Sequence, residues 1–335
     1  MRQQKKSILA ASPWFWEKVK GYALHERFIT SMSLNQDSRC DANCRGCFRY
    51  RSRIDGLRNL LLFPDYVRLL EEFKRFGGLA IEISGEGEPL LPGNQTLPII
   101  RYASGLGLWT TLITNGHFLS RDTIEELRDL NVALVVSLHS LSKEKYESDN
   151  GLPGSFESVM NAIDLIAETF RKTSWSESEY DVRRACIHWT LQSDNLDEVG
   201  NAKAFCNDRG FHFSIAPLAN VGHAAGNIAL LPKGYTNIWE INEMGDMSII
   251  FCHDSNGRLV CGTCRFGLNI GADGNVLLDA HGGYEVNIAN IRDISFEEAV
   301  RLQHKFSGKM FECLNGFCPV RDPGWSNFLA SRAYL

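Results

Sequence analysis

Three cysteines fall within the stretch SLNQDSRCDANCRGCFRY, residues 33 to 50: Cys40, Cys44 and Cys47, in the spacing C-x3-C-x2-C. A closed structural zinc site takes four protein ligands, whereas a cubane [4Fe-4S] cluster held by three cysteinates leaves one iron free to bind another molecule. The same triplet is also compatible with a zinc site completed by a distant histidine. A second group, Cys252, Cys261, Cys264, Cys313 and Cys318, gathers after residue 250 and holds half of the chain's 10 cysteines. Thiols grouped in this way suit metal or redox work better than a disulfide framework in a chain of this size. Cys186 and Cys206, inside a predicted strand and a predicted helix, read as buried small hydrophobes.

Something must hold the first triplet at one edge of a scaffold. With 335 residues, 44% of them hydrophobic and 22% charged, the chain is an ordinary globular protein with a core of its own. Short β-branched and apolar runs at 28–34, 79–84, 109–114, 133–138, 185–191 and 212–217 predict strands. Amphipathic stretches near 64–76, 95–106, 120–130, 155–170 and 194–209 predict helices between them. Pro64 with Asp65, and Ser120 followed by Asp122 and Thr123, mark two of the helix starts. Six βα units with short connections imply parallel strands and right-handed crossovers, hence an α/β fold: a partial (βα)6 TIM-like barrel over 28–225. Chemistry in such folds sits at the carboxyl ends of the strands, and the first cysteine group follows the first strand.

Residues 1–27 read as a helical segment whose aromatic cluster Trp14, Phe15 and Trp16 caps the barrel bottom or packs an N-terminal helix. The basic cluster at its start is followed by an apolar run that Ser12, Pro13, Glu17 and Lys18 interrupt, so it fits neither a signal peptide nor a membrane span. A cytoplasmic protein without a membrane partner is expected. A net charge of -5 without a dense Lys/Arg block argues against nucleic acid as a partner. After residue 225 the βα rhythm stops. A Gly, Ala and Asn-rich linker leads into the late cysteines, a turn at Asp273-Gly274 and a helix near 295–306, so 226–335 reads as a smaller C-terminal α+β module.

Taken together, the motifs resemble the radical S-adenosylmethionine (SAM) superfamily, whose signature is this cysteine spacing after the first barrel strand with an aromatic residue, Phe48 here, after the last cysteine. The resemblance extends from about residue 28 to 225. ISGEGEPLL is similar to that family's Gly-Gly-Glu-Pro loop, which receives the methionyl amino group; it maps to Gly85, Gly87, Glu88 and Pro89, with Glu86 inserted. Asn115 in Thr-Asn-Gly, Ser137 and His139 in Ser-Leu-His-Ser, and Asn195 after the fifth strand stand at strand ends where the family contacts SAM. The resemblance implies a site-differentiated [4Fe-4S] cluster on Cys40, Cys44 and Cys47, bound SAM, and a reductant such as flavodoxin or ferredoxin. The cofactor then carries the hard chemistry and the protein positions it.

The segment CGTCRFGLNIGADGNVLLDAHGG resembles the SPASM and twitch modules that hold auxiliary clusters in that superfamily, so the C-terminal module is expected to be an iron-sulfur one. Asp279 stands where those modules place a cysteine after the hairpin. One auxiliary [4Fe-4S] cluster on Cys261, Cys264, Cys313 and Cys318 is the expectation, with Cys252 and Asp279 as alternate ligands and zinc as the alternative metal. Cys252, if free, is a candidate hydrogen-atom donor to a substrate radical. No separate leader-binding domain is recognised before the barrel, which favours a sugar-like small molecule (an aminoglycoside, cyclitol or nucleoside) over a ribosomal peptide. Asp254, Asp279, His253 and His281 are polar candidates for its site. The expected outcome is epimerisation or dehydrogenation; the alternatives are the same chemistry on a peptide, and a zinc-binding, non-catalytic α/β protein.

Overall fold

A computed structural model of the chain describes residues 29, 31–47, 59–84, 87–130, 132–170, 174–175, 182–218, 222–224, 227–232, 251–253, 259–261, 267–278 and 287–313. The expected 1–27 helix, with Trp14, Phe15 and Trp16, lies outside them. In chain order the elements are β1 (Ser31–Leu34), α1 (Phe63–Arg75), β2 (Ala80–Ile83), α2 (Thr96–Gly105), β3 (Trp109–Thr114), α3 (Arg121–Asp129), β4 (Val132–Ser137), α4 (Lys143–Asn150) and α5 (Ser155–Phe170). There follow the short pair β5 (Ser174–Trp175) and β6 (Val182–Arg183), then β7 (Ala185–Leu191), α6 (Val199–Arg209) and β8 (His212–Pro217). The last part holds β9 (Phe251–His253), β10 (Leu259–Cys261), β11 (Gly267–Ile270), β12 (Asn275–Leu277), β13 (Asn287–Asn290) and α7 (Phe296–Cys313).

The predicted helix starts carry their own chemistry. Ser120 Oγ accepts a hydrogen bond from Thr123 N at 3.2 Å and caps α3, and Asp65, one residue after Pro64, accepts from Leu62 N at 2.8 Å and closes the first turn of α1. Alternate strand residues then decide which face meets the helices. Met32, Leu34, Ile81, Ile83, Leu112, Leu134, Val136, Ile187, Trp189, Leu191, Phe213 and Ile215 join helix residues such as Leu69, Phe73, Ile99, Ile124, Val159 and Ile163 in one buried outer core. The intervening strand residues line the inner, concave face. Ala133, Val135 and Cys186 form a small apolar patch there. Cys206 is buried in α6, so both isolated cysteines pack as small apolar side chains.

The sheet has the order β13-β12-β11-β1-β2-β3-β4-β7-β8, and from β11 to β8 every neighbouring pair is parallel. The expected six barrel strands are present, and a seventh parallel strand joins them from the far end of the chain. β11 pairs with β1 from Ser31↔Gly267 to Leu34↔Ile270, so the sheet runs across the boundary expected at residue 225. The physical reason is that Leu268 and Ile270 alternate into the same outer core as Met32 and Leu34. The turn at Asp273-Gly274 joins β11 to the antiparallel β12, with Gly274 at φ 85°. Helix α7 closes against α1, where Phe296 lies 5.3 Å from Phe76 and 6.4 Å from Phe73, centroid to centroid. No helix among the described residues is long and apolar enough to cross a membrane.

Candidate active site

The loop after β1 carries Cys40, Cys44 and Cys47 at the carboxyl edge of the sheet, all three partly buried. Its backbone is fastened on several sides. Asn43 N donates to Asn150 O (2.8 Å) and Arg45 N to Asp149 O (2.9 Å), both at the end of α4. The Arg45 guanidinium pairs with the buried Asp149 carboxylate, Nε to Oδ1 2.7 Å, and also reaches Asp194 at 3.1 Å. Gln192 Nε2 donates to the other Asp149 oxygen at 2.9 Å. From the β8 side His223 N donates to Cys47 O at 2.8 Å, and its Nδ1 lies 3.1 Å from Cys44 O. Because a carbonyl only accepts, Nδ1 carries a proton, and the buried Nε2 has no partner among the described residues.

Between the first two cysteines, Asp41 ties the loop to the end of β3. Asn115 Nδ2 donates to Oδ1 at 2.7 Å, and His117 Nδ1 lies 2.6 Å from Oδ2. His117 Nε2 in turn lies 3.2 Å from Tyr146 OH on α4. Burial acts to raise the Asp41 carboxyl, but the hydrogen bonds from His117 and Asn115 outweigh it and hold it below the ordinary aspartate range. Cys44 Sγ lies 3.3 Å from Asn150 Oδ1. Burial first, then the nearby charges of Cys47, Cys40 and Asp149, push the Cys44 thiol well above the usual range.

The Gly-Glu-Pro loop after β2 braces the base of the cysteine loop. A Cβ on Gly87 would meet Arg39 O at 2.1 Å and Asp37 O at 2.8 Å, so only glycine lets the two backbones approach, and Glu88 N donates to Arg39 O at 2.9 Å. The Glu88 carboxylate is buried. Its Oε1 accepts from Thr114 Oγ1 (2.6 Å) and Leu90 N (2.9 Å), and its Oε2 from Asn115 N (2.8 Å). Burial raises the Glu88 carboxyl despite these donors. This side chain ties the ends of β2 and β3 together, where the sequence suggested an ammonium receiver. The Asn195 side chain is similarly engaged, donating to His139 O (3.0 Å) and Thr190 O (2.9 Å) and accepting from Gln192 N (2.7 Å). It braces β4 against β7.

Ser137 ends β4 on the inner face, in register with His188 of β7, and His139 follows two residues on. His139 Nδ1 is buried without a protein partner, and burial depresses the imidazole pKa, so the neutral ring is favoured. Pro89 lies beside Gly87. Phe48, Gly85, Cys264, Cys318, Asp254, Asp279 and His281 lie outside the described residues. Cys252 and Cys261 stand on neighbouring strands of the β9–β10 hairpin, in the pairs Val260↔Cys252 and Cys261↔Phe251, while Cys313 ends α7.

The donor set after β1 fits a cluster. Three partly buried sulfurs share one loop whose described arginines, Arg39 and Arg45, are turned to carboxylates, so as thiolates they would suit a cationic group such as an iron cluster. Among the described residues no three His, Cys, Asp or Glu side chains converge as ligands of one metal ion. A cubane does not ask for that, since each thiolate takes a different iron.

Sequence reasoning missed Asp41, Arg45, His117, Tyr146, Asp149, Asn150, Gln192 and His223. Asp41 and Arg45 had one available signal, their place between cysteines; His117 had another, its place just past a strand end.

The architecture is that of an α/β partial barrel with a thiol-lined cofactor loop at its carboxyl edge. More particularly, residues 38–177 match the family model described as Radical SAM superfamily. An AdoMet-dependent heme synthase of Methanosarcina barkeri is 30% identical over 161 residues, 48% of this chain and 42% of that protein. A probable GTP 3',8-cyclase of Pyrobaculum aerophilum is 35% identical over 127 residues, 37% and 39% of the two chains. The chain thus spans less than half the length of these curated relatives. Among solved structures, Streptococcus suis SuiB bound to the precursor peptide SuiA superposes with a TM-score of 0.64 at 18% identity, over 85% of this chain and 67% of that one, a likeness of fold.

Proposed function

We propose that the protein is a radical SAM enzyme that holds a site-differentiated [4Fe-4S] cluster on Cys40, Cys44 and Cys47 and acts on a sugar-like small molecule. The observation that carries this reading is the geometry of the cysteine loop: Cys40, Cys44 and Cys47 lie together on one loop that Asp41, Arg45 and His223 fasten at the carboxyl edge of a parallel sheet. When bound, the cluster and SAM together supply a 5'-deoxyadenosyl radical able to take hydrogen from an unactivated C–H bond.

The chain's own residues then bind and orient. Gly87 and Pro89 present backbone to the methionyl ammonium beside Glu88, while Glu88 keeps that loop against β3. Ser137 and His139 offer a hydroxyl and an imidazole, its Nδ1 without a partner among the described residues, to the carboxylate or ribose of SAM. Asp41 holds Asn115 and His117 in place. By resemblance, Phe48 and Gly85 complete the SAM site, flavodoxin or ferredoxin supplies the electron, and one auxiliary cluster sits on Cys261, Cys264, Cys313 and Cys318. The Cys252 thiol would give a hydrogen atom to the opposite face of a substrate carbon radical and invert the centre, the thiyl left behind taking an electron from the flavodoxin or ferredoxin and a proton. An auxiliary cluster held by Cys261, Cys264, Cys313 and Cys318 would offer an electron acceptor for dehydrogenation instead.

The test is iron and sulfide per chain after anaerobic reconstitution, with 5'-deoxyadenosine formation from SAM and dithionite, for the intact chain and a Cys40/Cys44/Cys47→Ala variant. About eight irons in the intact chain and about four in the variant, with deoxyadenosine lost, are expected for two cubanes. About four and none would remove the auxiliary cluster and with it the oxidative route. Zinc without iron in both would overturn the radical reading.

A further inference from the structure

We infer that Glu82, on the inner face of β2, is a substrate-binding residue that receives a protonated amine of a sugar-like substrate; the inference rests on the sugar-like reading above. Ile81 and Ile83 on either side of it enter the outer core, which turns Glu82 into the barrel. Its one described hydrogen bond is from Ser84 Oγ to Oε1 at 2.8 Å. On the inner-facing positions of the described barrel strands there is no other carboxylate, and no lysine or arginine. A half-buried carboxylate without a cation at hand is penalised, and burial accordingly raises the Glu82 carboxyl. An ammonium brought by a ligand removes that cost.

The neighbours point to the same occupant. The strand register places Ser33, Glu82 and Thr111 side by side on β1, β2 and β3, with Asn269 of β11 next to Ser33. Asn269 is only 3% exposed, yet its Nδ2 has no partner among the described residues. A buried amide donor that they leave open suits an acceptor carried by a ligand, such as a hydroxyl or ether oxygen. Asn269 and Glu82 are two strands apart, roughly 10 Å at the backbone. Their side chains reach inward from there and bracket a polar ring carrying both an acceptor and an amine. Beyond Thr111 the wall becomes apolar, with Ile113, Ala133, Val135 and Cys186, which suits the C–H face of such a ring.

The experiment uses the reconstituted holoprotein with SAM and compares, by titration calorimetry, D-glucosamine with D-glucose and an inosamine with the matching inositol. The amines are expected to bind about tenfold or more tightly than the neutral polyols, a preference that falls below about twofold in Glu82→Gln. Glu82→Asp keeps the charge and is expected to keep the preference at weaker affinity; it stands in if Glu82→Gln does not melt as a folded protein by circular dichroism. Neutral polyols bound as well as amines by the wild type, or a preference intact in Glu82→Gln, would overturn the role of Glu82 while leaving a sugar-like substrate in place. No binding of either pair by protein that does bind SAM would remove the sugar-like reading itself, and the Glu82 assignment with it.

Discussion

Glu88 shows how a single buried carboxylate can tie two strand ends together. Its two oxygens collect three donors, from Thr114, Leu90 and Asn115, and those bonds fix where the β2 and β3 loops end. Replacing it with glutamine turns one acceptor oxygen into an NH2 group facing N–H or O–H donors, so Glu88→Gln is expected to lose about 1–3 kcal/mol of stability near neutrality. The pH dependence follows from the raised carboxyl. Below the unfolded carboxyl value Glu88 is protonated in both states. Between that value and its higher folded value the unfolded chain ionises first, so stability falls as pH rises through this window and then levels off. Urea midpoints measured across the acid range should show this descending component in the wild type and not in Glu88→Gln. A wild type and variant with parallel profiles would mean that the carboxyl is not raised in the fold.

At the level of elements, α4 is the piece on which the cysteine loop hangs. It is an eight-residue helix, Lys143–Asn150, capped by Ser142 at its start and by Gly151 at φ 64° at its end, and from it Tyr146, Asp149 and Asn150 turn inward. The Asp149–Arg45 pair has one buried and one partly exposed partner, side chains 7% and 39% exposed, so its net worth is well below that of a fully buried pair. Asp149→Ala is expected to cost about 1–2 kcal/mol and also to free the loop backbone at Arg45. Hydrogen exchange in the apoprotein should therefore quicken around residues 43–47 while β3 and β4 stay protected; unchanged exchange there would remove α4 from the role of loop anchor. The sequence conceals this element because KEKYESDN carries one large apolar residue, Tyr146, and no stripe. By contrast, β3, β7, β8 and α5 were legible to the residue, since continuous apolar runs and a strong 3.6-residue stripe leave few alternatives. The cysteine triplet was legible from spacing alone. Its fastening was not, because Asp41–His117 and Arg45–Asp149 join residues far apart in sequence through side chains that read as solvated loop charges.

At the scale of the whole molecule, the late segment that carries β11 and α7 is built into the barrel rather than appended to it. β1 is only four residues long and takes a neighbour on each side, β2 and β11. Removing β11 would leave the strand that leads into the cysteine loop as a sheet edge with unpaired N–H and C=O groups. It would also uncover Met32 and Leu34 and strip Phe296, Ala299 and Val300 from α1. The same segment holds the approach to α1, with Leu61 N donating to Ala272 O at 2.8 Å and the Arg292 guanidinium donating to Asn59 O and Leu60 O at 2.9 and 3.0 Å. Burial of Phe296 alone stabilises by about 1.5–3 kcal/mol, against a total of roughly 5–15 kcal/mol for a folded protein, so these losses together consume most of the margin. A chain ending at residue 266 is therefore expected to elute as soluble aggregate in size-exclusion chromatography, or to unfold at a much lower urea midpoint, and to take up little iron on Cys40, Cys44 and Cys47. A barrel that could stand without β11 would give the same midpoint in both lengths. The sheet order would then describe a late docking of two units, and β1 would have to be stable with one neighbour.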